Sequence, residues 1–170
     1  MYNAILVQAL AITALLIWAA SYHFKKRKSI LLVQLASFIF WIVHFFLLGA
    51  YTGAVLSLVA ALRLTVFSFK EKNNWISKLI VLWVFMGIMI IATLLTSSSF
   101  LGVFALIGGI FATIACWQYN PKKIRFLFIF SHASWIIYDL FVGSYGGAVS
   151  EAVLGVSTIS SLLRKDLKNR

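Results

Sequence analysis

Cysteine, proline and acidic residues are nearly absent from this chain. Among 170 residues there is one cysteine, Cys116, one proline, Pro121, and four Asp or Glu. A single cysteine excludes an intrachain disulfide and any metal site built from several thiolates. Charged residues make up 11% of the chain, against roughly a quarter in soluble domains. No phosphate-binding glycine loop, nucleophile elbow or His-Glu zinc motif occurs, and the loops are too short to hold a catalytic apparatus. The three histidines lack zinc-type spacing. Neither an enzyme, a cofactor nor a metal centre is expected.

What the chain has in excess is apolar. Hydrophobic residues reach 62%, more than one soluble core of this size could hide, so lipid has to be the solvent for much of the surface. The formal charge is +11, but the basic residues fall in short bursts between long apolar runs. That is the pattern of membrane topology signals, not of a nucleic-acid-binding surface. The expected partner of these bursts is the anionic lipid of the cytoplasmic leaflet, and nucleic acid is not expected. Met1 leads straight into an apolar stretch whose basic cluster follows it. A cleaved export signal carries its charges first, so the first segment is expected to be retained with its N-terminus outside.

Seven apolar segments are legible, at 4–22, 29–49, 51–69, 79–96, 100–118, 126–142 and 145–163. Each approaches the ~20 residues that a crossing helix needs. Gly49 and Gly53 break the run 29–69 into two crossings, Gly143, Gly146 and Gly147 separate the last two, and Ser97–Ser99 separate the fourth and fifth. Lys25, Lys26, Arg27 and Lys28 fall in the first connection, Lys70, Lys72 and Lys78 in the third, and Lys122, Lys123 and Arg125 in the fifth. Arg164, Lys165, Lys168 and Arg170 form the tail, and the other three connections carry no Lys or Arg. Alternating charge of this kind predicts seven spans with the N-terminus outside and the C-terminus in the cytoplasm.

The chain also repeats itself. Residues 41–55, WIVHFFLLGAYTGAV, align without gaps to 135–149, WIIYDLFVGSYGGAV, with 7 of 15 positions identical. The same offset of 94 pairs Lys28 with Lys122 and Ser37 with Ser131. Helices two and three thus match six and seven, and helix one matches five more weakly. A fourth helix between two triplets restores their direction and makes the repeats parallel. The predicted fold is therefore an all-α bundle in a 3+1+3 plan. Residues 1–74 form the first triplet with its basic loop, 75–98 the linker helix, 99–163 the second triplet and 164–170 a basic cytoplasmic tail.

This plan resembles the SWEET/PQ-loop transporter superfamily. The length, the basic loops and the elements W-x-x-H…G-x-Y-x-G and S-W-x-x-Y-D…G-S-Y-G-G more closely resemble the bacterial inner-membrane YgjV family. The resemblance covers nearly the whole chain and implies residence in the bacterial inner membrane. The superfamily implies a small-solute path between the triplets. Its members carry Pro-Gln pairs or helix prolines that act as hinges, whereas Pro121 lies before helix six, so rocking about such hinges is not implied for this chain.

Polar stripes mark where such a path would run. Gln34, Ser37, Trp41 and His44 share one face of helix two, and Ser131, Trp135 and Tyr138 share the matching face of helix six, with His132 and Asp139 alongside. Polar atoms facing hydrocarbon are costly, so both stripes should face protein or a water-filled cavity. Asp139 lies about 6 Å along its helix from the glycine turn, with Glu151 and His44 at similar depth. These positions predict a substrate site of Trp41, His44, Trp135, Tyr138 and Asp139. Glu151, His132, Gln34, Ser37 and Ser131 are proton-linked or structural candidates. The two indoles would flank the solute, and the polar groups would either bind it or lock the bundle. Arg63 is expected to snorkel to cytoplasmic headgroups. A transporter of small polar solutes is the leading expectation and a receptor or scaffold on the same fold the alternative. Small-residue faces leave packing within one bundle or between protomers of a homo-oligomer equally open.

Overall fold

A computed structural model describes residues 4–21, 27–70 and 73–164, the side chains of Ser21 and of 27–31 excepted. Among the described residues the chain is all-helical: α1 (Ala4–Ser21), α2 (Arg27–Leu47), α3 (Tyr51–Ser68), α4 (Leu79–Thr96), α5 (Gly102–Trp117), α6 (Pro121–Phe141) and α7 (Tyr145–Leu162). The helices follow the apolar runs with one informative difference. The run expected at 126–142 begins earlier, at Pro121. The Asn120 side chain accepts from the backbone N–H groups of Lys122 and Lys123, and Pro121 occupies the first turn. That combination starts a helix whatever the hydropathy of the next residues. Lys122, Lys123 and Arg125, expected in a connection, therefore ride on the first turns of α6. Arg27 and Lys28 likewise belong to α2. Lys25, Lys26, Lys72 and the tail from Lys165, with Lys168 and Arg170, lie outside the described residues.

Helices α3, α4 and α6 are each long and apolar enough to cross a membrane, with mean hydropathy of 1.5, 2.6 and 1.3. Shorter apolar stretches run through α1, α2 and α5, over Ala4–Ala20, Leu32–Leu47 and Gly102–Trp117. Glu151 and several Ser, Thr and Gly residues dilute α7. At 1.5 Å per residue an 18-residue helix is about 27 Å long, close to the ~30 Å of bilayer hydrocarbon.

Burial is the reverse of a soluble protein's. Large apolar side chains such as Ile5, Leu94 and Leu95 point outward, at 79%, 77% and 81% exposure. The fully buried side chains include Ser37, His44, Thr113, Asp139, Ser144 and Ser150. Small residues fill the helix contacts, with Ala11, Ala14, Ala105 and Ala115 wholly covered. Lipid tails reward no apolar burial, so such bundles cohere through close contacts of small residues and interhelical hydrogen bonds.

The packing forms a closed cycle. α1 lies against α2 and α7, α2 against α3, α3 against α5, α5 against α6, and α6 against α7, while α4 packs outside on α3 and α5. Two glycine turns join α2 to α3 and α6 to α7 with the same backbone path. Gly49 and Gly143 have φ of +73° and +76°, a left-handed conformation that glycine adopts without strain. The residues that follow, Ala50 and Ser144, have φ, ψ of −83°, 62° and −84°, 63°.

Candidate functional site

The cycle encloses a cavity of about 120 Å³ to which all seven helices contribute. Its wall toward α2 and α6 is aromatic. Trp41 stacks on Phe45 at 5.8 Å between ring centroids, and Phe45 meets Trp135 at 5.9 Å. Phe45 thus stands between the two indoles. Trp135 lies on Gly108, where an added Cβ would meet the indole at 2.6 Å, so the tryptophan depends on α5 presenting no side chain there. Ser131, also in the lining, donates to the Gly108 carbonyl at 2.9 Å.

The polar groups come from α6, α7 and α3. Asp139 is 1% exposed, lines the cavity, and its Oδ1 has no hydrogen-bond partner among the described residues. His132 and Glu151 line the same space and are joined by a 2.6 Å contact from Nδ1 to Oε2. Glu151 and Asp139 thus face the same cavity. Gly155 of α7 faces His132, whose Cβ would lie 3.5 Å from a Cβ added at the glycine.

Arg63 departs from expectation. It lines the cavity at 5% exposure rather than reaching for headgroups. One guanidinium nitrogen donates to Thr113 Oγ1 at 2.7 Å, and Thr113 donates on to the Gly109 carbonyl at 2.7 Å. Its Nε is buried without a partner among the described residues. A hydroxyl on α5 gives the head group a nearer partner than the membrane surface offers.

His44 and Tyr138 are absent from the lining. His44 contacts the Val7 carbonyl through Nδ1 and Ser144 Oγ through Nε2, both at 2.7 Å. The Tyr138 hydroxyl accepts from the Gly53 N–H at 2.9 Å. That N–H lies in the first turn of α3, where a helix has no partner of its own. Gln8 completes the set: its amide donates to the Gly143 carbonyl and accepts from the Gly146 N–H, each at 2.8 Å. These three side chains brace the glycine-turn end of the bundle. Ser37 is buried with its Oγ unpartnered among the described residues, and Gln34 is half-buried; neither lines the cavity.

A family model described as Imp-YgjV, bacterial inner membrane protein, matches residues 5–169. The chain belongs to that family. It is similar to the inner membrane protein YgjV of Escherichia coli (strain K12), with 27% identity over 156 residues, covering 86% of this chain and 76% of that protein. No solved structure matches it. In this Imp-YgjV member, Trp41, Trp135 and Asp139, expected in a substrate site, and Glu151, His132 and Ser131, expected as proton-linked or structural groups, all line the cavity. Phe45, Arg63, Ser144 and Gln8 were missed in the sequence. For Arg63 a signal was available, since it lies two helical turns inside the basic end of α3. Ser144 and Gln8 carry no local signal: His44, which Ser144 contacts, lies 100 residues away, and Gly143 and Gly146, which Gln8 bonds, lie 135 and 138 residues away.

Proposed function

We propose that this inner-membrane protein carries a small polar solute through the cavity between two three-helix groups. The supporting observation is the pair of buried atoms on its wall that have no partner among the described residues: an acceptor, Asp139 Oδ1, and a donor, Arg63 Nε. A buried polar atom without a partner is destabilising by about 1–3 kcal/mol. Such atoms persist where a ligand or water completes them. Trp41, Phe45 and Trp135 give the solute an apolar face, and Glu151 with His132 gives a second polar patch. The protein would act without enzymatic chemistry, and the site residues are Trp41, Trp135, Asp139, Glu151, His132, Ser131 and Arg63.

On this reading the chain is a 3+1+3 protein, with triplets at 1–74 and 99–163, a linker at 75–98 and a basic tail at 164–170. The matching glycine turns support it. So does the exchange of contacts α1 to α7 and α3 to α5, which are equivalent when the triplets are interchanged. Positive residues at alternate connections support seven crossings with the N-terminus outside. A receptor on the same fold is the second reading, favoured by Phe45 filling the slot between the indoles.

Uptake into liposomes holding the purified protein separates the two. A panel of sugars, nucleosides, amino acids and amines should include solutes that accumulate above protein-free liposomes, with at least a tenfold fall for Asp139→Asn. Ligand binding without uptake would select the receptor. Equal uptake by wild type and Asp139→Asn would remove Asp139 from the site.

A further inference from the structure

Two groups of opposite charge type line the cavity without pairing with each other. Asp139 reaches it from α6 at 1% exposure and Arg63 from α3 at 5%. Glu151 and His132, also in the lining, pair with one another at 2.6 Å. Among the described residues neither Asp139 nor Arg63 has an ion-pair partner. A guanidinium keeps its proton in proteins, and a buried charge without a counter-charge is strongly destabilising. With all four groups ionised their charges cancel, so a guest carrying a single charge would leave Asp139 or Arg63 unanswered. A guest that carries both signs and is neutral overall would answer the two together.

The free atoms specify which group goes where. Thr113 Oγ1 takes Arg63 Nη1 at 2.7 Å. That leaves the edge formed by Nε and Nη2, and Nε has no partner among the described residues. Such an edge matches the two oxygens of a carboxylate through two parallel N–H···O bonds. On Asp139 the free atom is Oδ1. An ionised carboxylate only accepts, so this oxygen calls for a donor, and a cationic donor also supplies the missing charge. Glu151 is less available to a guest, since its Oε2 is held by His132.

Helix geometry sets the spacing between the two. Trp135 lies against Gly108 of α5, which puts these residues at one level. Asp139 stands four residues further along α6, about 6 Å toward the glycine turns. Thr113, which holds the guanidinium, stands five residues past Gly108, about 7 Å in the opposite direction. Both side chains turn back toward the Trp135 level, Asp139 by the lean of helical side chains toward their N-terminus and Thr113 by its bond to the Gly109 carbonyl. The indole of Trp135 therefore lies between the two charged ends. An α-amino acid, with a single carbon between its charges, is too short to span it. An apolar cavity of ~150 Å³ holds benzene, so the 120 Å³ here suits a slender chain of similar bulk.

We propose that the solute is a small ω-amino acid, bound by its carboxylate on the Nε edge of Arg63 and by its ammonium on Asp139 Oδ1. Its methylenes lie against Trp41, Phe45 and Trp135. This rests on the cavity being a solute site and names the class of solute.

Binding to the purified full-length protein in detergent, read by calorimetry and tryptophan emission, tests it with 4-aminobutanoate, butylamine, butanoate and glycine. In wild type 4-aminobutanoate should bind at least about tenfold more tightly than each of the others. In Asp139→Asn its advantage over butanoate should shrink to about twofold, with butanoate itself still bound. Arg63→Gln should erase the advantage over butylamine in the same way. Thermal melts check the fold of each variant, and if Arg63→Gln does not fold, wild type and Asp139→Asn decide the matter. Butylamine or butanoate binding as tightly as 4-aminobutanoate, or no binding by any of the four, overturns the zwitterion. Glycine binding equally well overturns the spacing, and an equal loss of every ligand in Asp139→Asn overturns its role as the ammonium partner. Binding of 4-aminobutanoate without uptake leaves this inference standing and removes transport. Uptake of another solute by a protein that does not bind 4-aminobutanoate removes this inference and leaves transport.

Discussion

Phe45 and Asp139 rest in the same way on a glycine eight residues further along the chain. Phe45 Cδ1 lies 2.8 Å from where a Cβ on Gly53 would stand, and Asp139 Oδ2 lies 2.8 Å from the equivalent point on Gly147. The two positions are 94 residues apart, the offset of the sequence repeat. One place in each half therefore holds a phenyl ring in the first and a carboxyl group in the second.

The contact beneath Asp139 is the more sensitive of the two. An added methyl at Gly147 would also strike Ser144 Oγ, which cannot withdraw without breaking its contact with His44. Gly147→Ala should destabilise the protein by about 1–3 kcal/mol, the usual range for overpacking. A thermal melt in detergent no lower than wild type would contradict the tight contact.

Removing the ring at the other position should open the site. Phe45→Ala clears the slot between Trp41 and Trp135 and removes a side chain that is 2% exposed. A stability loss of about 3–5 kcal/mol is expected for such a truncation. If the variant folds, bulkier planar solutes should quench tryptophan emission in it more strongly than in wild type. Quenching that is the same in both would mean the ring does not limit the cavity.

Tyr138 and the cavity groups should separate in their effects. Tyr138→Phe leaves the Gly53 N–H without its partner, so a loss of about 1–3 kcal/mol is expected. Uptake per folded molecule should stay within about twofold, corresponding to less than 0.5 kcal/mol. A large fall in uptake with an unchanged melting temperature would return Tyr138 to the solute site.

Lys70, just beyond α3, makes a different kind of contact. Its Nζ donates to the Trp117 carbonyl at 2.6 Å, at the C-terminus of α5, and stands 3.7 Å and 4.1 Å from the ring centroids of Trp117 and Tyr119. Burial pushes the Lys70 ammonium below its ordinary value of 10.5. Between the lowered value and 10.5 the folded chain holds fewer protons at this site than the unfolded chain, so its contribution to stability rises with pH. The melting temperature of wild type minus that of Lys70→Met should therefore climb as pH approaches 10.5. A difference that is flat or falls with pH would show that the amine keeps its proton in the fold.

Much of this architecture was readable because membrane helices announce themselves by run length and by glycine and charge punctuation. Trp135, Asp139 and Glu151 were readable as inward-facing because polar or bulky groups deep in an apolar run have few tolerable places to point. The error over Arg63 has the opposite cause. Its long side chain could reach either way, and only the Thr113 hydroxyl, 50 residues distant, decides. His44 looked like a solute ligand for the same reason that it makes a good brace, being polar, buried and near a turn. Its partners Val7 and Ser144 lie 37 and 100 residues away, beyond the reach of periodicity.

The uneven sharing of charge has a geometric consequence. Asp139, Glu151 and His132 all stand on α6 and α7, and Arg63 alone answers them from α3. A chamber whose two halves were chemically alike would accept a molecule in either of two opposite poses. Here an elongated guest with unlike ends would lose both of its polar contacts on turning round, so it would enter and leave in one orientation.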